Sequence, residues 1–134
     1  MEYVINTSHI EKKYGRNTSR ALDDLTISIP RGVLYGLVGP DGAGKTTMLR
    51  ILSSVMLPTN GSAEVLGFDL RKNPSPIREK IGYMPQNFSL YPDLSVLENL
   101  DFFADIQHVE KARKPGRIKE MLRFTRLEEF KSRR

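Results

Sequence analysis

At 134 residues, 39% of them apolar and 28% charged, the chain has the composition of one globular domain with a modest core. The absence of cysteine excludes a disulfide framework and thiolate metal sites. No apolar run approaches a membrane span, and Met1-Glu2-Tyr3 does not begin a signal peptide, so a cytosolic location is expected. The net charge of +5 is uneven, because residues 111–134 hold 10 Lys/Arg against 3 Asp/Glu. That basic end could meet nucleic acid or acidic lipid. A solvated helix face above Ile118, Met121, Leu122 and Phe130 is the better reading.

In chain order, Val4–Ile10 and Leu22–Ile29 read as strands, the second with Leu25, Ile27 and Ile29 on one side and Asp24, Thr26 and Ser28 on the other. Joined by the polar loop Lys12–Arg20, they predict an antiparallel layer. Tyr14 lies in that loop, where an aromatic could stack on a base. Position alone favours a surface or packing tyrosine. The turn Pro30-Arg31-Gly32 leads into Val33–Val38, which predicts a core strand.

Gly39-Pro40-Asp41-Gly42-Ala43-Gly44-Lys45-Thr46 then matches a P-loop, with Thr47 following. Phosphate must lie against backbone N–H groups, so side chains have to be absent where the loop wraps it. Gly39, Gly42 and Gly44 allow that approach, and positive φ is expected among them. A helix from Lys45 would aim free N–H groups and its positive dipole end at the anion. Lys45 would reach the outer phosphates, and the Thr46 hydroxyl would ligate Mg²⁺.

Met48, Leu49, Ile51, Leu52 and Val55 fall around most of that helix and predict its burial. Leu57–Gly61 breaks it, Ser62–Leu66 reads as a short strand, and a helical turn is expected after Pro76. Ile81–Met84 predicts a second core strand stopped by Pro85. Gln86 stands just past its end, where its amide could ligate Mg²⁺ or orient water. Ser95 and Glu98 spell a capping box ahead of Val96, Leu97, Leu100, Phe103 and Ala104, which recur with helical spacing. A further helix is expected over about Arg117–Phe124, then a third short piece. The expected organisation is one domain: residues 1–86 as β layer and P-loop core, and 87–134 as the start of a helical subdomain.

Tyr14-Gly15, Gly39–Thr47, Asn60-Gly61-Ser62 with Gly67-Phe68-Asp69, Ile81–Gln86 and Leu94–Leu100 together make the sequence resemble the N-terminal part of an ABC transporter ATPase. Bacterial exporters of the multidrug or ABC-2 type are the most similar in wording. The resemblance implies an α/β P-loop NTPase fold, with an incomplete RecA-like core, an N-terminal antiparallel β layer and the start of an α-helical subdomain. It implies that Tyr14 stacks on adenine, and that Gln86 is the Q-loop glutamine sensing the γ-phosphate through Mg²⁺. Lys45 and Gln86 are thus the candidate catalytic residues, and ATP with Mg²⁺ the expected ligands. A transmembrane permease and a second nucleotide-binding domain are the implied partners. The implied location is cytoplasmic, peripheral to the cell membrane. Phe88, Leu90 and Tyr91 would either receive the permease or anchor the helices internally.

The hydrolytic parts are absent from this sequence. Asp101-Phe102-Phe103-Ala104-Asp105-Ile106 lies on a predicted helix and has no acidic residue after Asp105. No Gly-Gly pair exists for the family's signature, and His9 and His108 are both misplaced for its switch histidine. The reading is half of an ATPase that binds nucleotide without turning it over. A P-loop kinase or GTPase would leave Tyr14 and Gln86 unexplained. A P-loop ATPase half acting on nucleic acid through the basic end is the remaining alternative.

Overall fold

The computed structural model describes residues 2–15, 19–87 and 89–134. Phe88, one of the candidate permease contacts, lies outside them. The chain folds as two compact units, Met1–Gln86 and Asn87–Arg134.

The first unit is built on β1 (Tyr3–Lys13), an 11-residue strand with antiparallel neighbours on both edges. β2 (Arg20–Leu25) and β3 (Ser28–Pro30) pair with successive parts of one edge, and β4 (Asn60–Val65) covers the other. The predicted antiparallel layer is therefore present. Its second strand is broken, however, where the sequence reads a continuous run from Leu22 to Ile29. The pairings Ile10↔Leu25 and Lys12↔Leu22 set an extra residue of β2 against β1, and Asp24 takes the left-handed conformation at φ 52°. This bulge lets Leu22, out of phase with Leu25 and Ile29, reach the core as well. Beside β1, a Cβ on Gly61 would stand 2.2 Å from the His9 carbonyl oxygen, which explains the glycine in Asn60-Gly61-Ser62.

β4 turns through Leu66 and Gly67, both at positive φ, into the short β5 (Phe68–Asp69). Two positive φ values make a hairpin turn of the type that matches strand twist. Asp69 then accepts backbone N–H bonds from Lys72 and Arg71, which hold its carboxyl below the usual range, Lys72 most strongly. It serves to close the turn after β5.

α1 (Lys45–Leu52) lays Met48, Ile51 and Leu52 into a core with Ile10, Leu22, Ala63, Val65, Leu70 and Ile77, the last from α2 (Pro74–Lys80). Two expectations fail here. Leu49 and Val55 are exposed, so α1 is covered on one face only. Neither Val33–Val38 nor Ile81–Met84 forms a strand, and Leu34 (103% exposed), Val38 (97%) and Met84 (92%) stand in solvent. A strand exists only where a neighbour answers its N–H and C=O groups, and among the described residues neither segment has that neighbour.

In the second unit, α3 (Val96–Ile106) begins with the predicted capping box. The Glu98 N–H donates to Ser95 Oγ, and Ser95 N–H donates back to the Glu98 carboxylate at 2.7 Å. α4 (Lys114–Thr125) starts with Pro115 in its first turn, and a 3₁₀ turn (Glu128–Phe130) follows. Lys114, 14% exposed, ties the two helices by salt bridges of 2.7 Å to both Asp101 and Asp105. Those aspartates raise the Lys114 pKa, Asp101 most strongly. Buried Asn99 accepts from Tyr91 N–H and places its amide nitrogen within 3.1 Å of the Tyr91, Leu94 and Ser95 carbonyls. This pins the segment ahead of α3. The Tyr91 ring meets Phe102 edge-on at 4.7 Å while staying half exposed. Of the apolar stripe expected under the basic residues, Leu122 is buried and Ile118 and Phe130 half-buried, whereas Met121 is exposed.

Candidate nucleotide site

The loop Gly39–Gly44 runs into α1 with Gly44 as its N-cap, at φ 87°. No side chain caps that terminus and no acidic residue occupies the first turn, so the Lys45, Thr46 and Thr47 end of the helix keeps its positive field. Gly42 (φ 82°) and Gly44 have positive φ, as expected of some loop glycines, whereas Gly39 does not. Gly44 has a second reason that the sequence alone did not reveal. A Cβ there would lie 2.3 Å from the Ala21 carbonyl oxygen and 2.7 Å from Leu22 Cδ2. The loop is therefore seated directly on β2.

Ala43 N–H donates to the Pro40 carbonyl at 3.2 Å, closing the turn. The Lys45 ammonium folds back over it, donating to the carbonyls of Gly39 (2.6 Å) and Pro40 (2.7 Å). Those contacts hold the charge at the mouth of the loop. An open cleft of about 530 Å³ is lined by Asp41 through Thr47 together with Leu37, Tyr83, Met84 and Gln86. Thr46 Oγ1 donates to Gln86 Oε1 at 3.3 Å, although 40 residues separate them.

Thr46 and Gln86 bring two neutral oxygens to the end of the cleft where α1 begins. This donor set suits Mg²⁺, a hard cation that takes few protein ligands and shares substrate phosphate oxygens. Among the described residues no group of three or more His, Cys, Asp or Glu could hold a metal ion. Tyr14 stands beside the cleft rather than in its lining, with its hydroxyl 3.2 Å from Thr47 Oγ1. The arrangement is a glycine loop opening a helix N-terminus, with Lys45 folded over the loop.

The profile of the ABC transporter family matches residues 22–134, and the chain belongs to that family. The probable multidrug ABC transporter ATP-binding protein YbhF of Escherichia coli (strain K12) is 42% identical over 130 residues. That alignment covers 97% of this chain and 22% of YbhF. The methionine import ATP-binding protein MetN of Bifidobacterium longum is 34% identical, over 94% of this chain and 34% of its own length. Daunorubicin resistance ATP-binding protein DrrA3 of Streptomyces coeruleorubidus is 36% identical, over 89% of this chain and 37% of its own. Among solved structures, the post-hydrolysis state of the ATP-binding cassette MJ0796 bound to ADP and Pi superposes with a TM-score of 0.81 at 27% identity. It is covered over 96% of this chain and 60% of that one. The chain thus spans a minor part of these three transport proteins and under two thirds of the solved cassette. Its architecture is a partial P-loop NTPase fold. Among the described residues no helix is long and apolar enough to cross a membrane.

Proposed function

We propose that this chain binds Mg-ATP at Gly39–Thr47 and that, within a longer protein, it forms part of the ATPase that powers export through a membrane permease. The observation that carries the reading is the glycine-seated loop opening an uncapped helix end, with Lys45 poised over it and Thr46 bonded to Gln86. Lys45 would exchange two loop carbonyls for phosphate oxygens. The N–H groups from Gly42 to Thr47 would receive the remaining phosphate charge. Thr46 and Gln86 would hold Mg²⁺, which when bound neutralises phosphate charge. Gln86 is then the residue by which the state of the outer phosphate reaches the neighbouring chain segment. Tyr14 would supply the base platform.

The relatives named for multidrug and daunorubicin resistance favour export, although methionine import is represented among them too. A transmembrane permease and a second nucleotide-binding domain are the proposed partners. The cytoplasmic face of the cell membrane is the proposed location. Half-exposed Leu90 and Tyr91 are proposed to meet the permease.

The base platform gives a test specific to a nucleotide. Tyr14→Ala is expected to weaken ATP binding by roughly 1–3 kcal/mol, the range of base–aromatic stacking. It should leave inorganic triphosphate unaffected in parallel calorimetric titrations. Equal losses for both ligands would mean that the substitution acts on folding, and Tyr14 would have no base to hold.

A further inference from the structure

The Tyr14 ring is fixed on sides that stacking on a base does not require. Its hydroxyl lies 3.2 Å from Thr47 Oγ1 and donates to Met56 Sδ at 3.4 Å. One assignment satisfies both contacts: Thr47 O–H donates to the tyrosine oxygen, and the tyrosine O–H donates to sulfur. Thr47 is buried in the first turn of α1, so the ring is tied to the same helix end that faces the cleft. One face of the ring lies under the Lys12 ammonium, 5.6 Å from the ring centre, and that ammonium is itself anchored on the Leu57 carbonyl at 2.8 Å. The residue as a whole remains 44% exposed. A ring with its hydroxyl tethered and one face occupied offers a ligand only its other face, in one orientation.

We infer that Tyr14 and Thr47 form a hydroxyl clasp that sets the base-stacking ring in advance, with Lys12 closing its back face. Thr47 is then a positioning residue for the base as well as a wall of the phosphate loop. The inference rests on the nucleotide-binding reading and deepens it: base recognition depends on a hydroxyl pair that never touches the base. Ordering the ring beforehand removes the rotamer freedom that binding would otherwise have to freeze.

The diagnostic quantity is the ratio of affinities for Mg-ATP and for inorganic triphosphate, since effects on the phosphate cradle or on folding cancel in it. Tyr14→Phe keeps the aromatic ring and removes the tether. It should lower this ratio about fivefold, the scale of one net hydrogen bond. Thr47→Val should lower the ratio to a similar extent, Thr47→Ser should preserve it, and the double variant Tyr14→Phe with Thr47→Val should lower it no further than either alone. An unchanged ratio in Tyr14→Phe, or independent additive losses in the double variant, would overturn the clasp. If the parent chain binds ATP in a Lys45-dependent manner and only these ratios fail, the clasp alone is wrong. If no Lys45-dependent ATP binding exists, the nucleotide reading fails and takes the clasp with it.

Discussion

Lys45→Ala is expected to weaken ATP binding at least about tenfold. The ammonium is held by the Gly39 and Pro40 carbonyls at 2.6 and 2.7 Å. On binding it trades two neutral acceptors for charged phosphate oxygens, which are the stronger partners. A charge-assisted contact of this kind is worth roughly 1.5–3 kcal/mol, which translates to at least a tenfold loss. The alanine also releases the two carbonyls that the ammonium cross-links, which adds loop disorder to the loss of charge. Calorimetric titration of both proteins checks the result, and equal affinities would defeat the phosphate-cradle assignment.

Bound ATP is expected to remain intact. Hydrolysis requires a carboxylate that positions or deprotonates water, and metal coordination by an acidic residue besides the Thr hydroxyl. The acidic run closest in pattern to the family's, Asp101 to Asp105, lies on α3, and both its aspartates are engaged by Lys114. Asp69 is committed to the backbone of Arg71 and Lys72. Thr46 and Gln86 offer neutral oxygens only, which can hold a metal but cannot take a proton from water at neutral pH. Phosphate release by the homogeneous 134-residue chain should therefore equal that of a Lys45→Ala control. Sustained turnover abolished by that substitution would reveal a catalytic carboxylate not recognised among these residues.

The parts legible in the sequence are those whose chemistry is local or whose spacing is rigid. The P-loop needs glycines, a lysine and a hydroxyl in one short stretch, and the capping box needs Ser95 and Glu98 three residues apart. Both stand where the sequence places them. Position past an apolar run only suggests Gln86, and the resemblance to the ABC ATPases carries it; Gln86 meets Thr46 even though that run is not a strand. What was not legible depends on distant neighbours. Val33–Val38 and Ile81–Met84 have the residue types of buried strands, but apolar content reports a capacity for burial, not the presence of a hydrogen-bonding partner. The bulge at Asp24 hid because one extra residue shifts the alternation without altering composition. The Leu66-Gly67 hairpin hid because leucine is an uncommon choice at positive φ. The loop chemistry makes Gly44 a requirement of phosphate, and the carbonyl of Ala21 makes it a requirement of packing too.

The most direct test of the central claim is titration of Mg-ATP into the unmodified chain, followed by heat and by unfolding temperature. Saturable binding of one nucleotide per chain is predicted, with an unfolding temperature that climbs as ligand is added, because a ligand bound only by the folded state stabilises it. No saturable heat and an unfolding temperature indifferent to Mg-ATP would contradict the assignment of Gly39–Thr47 as a nucleotide cradle.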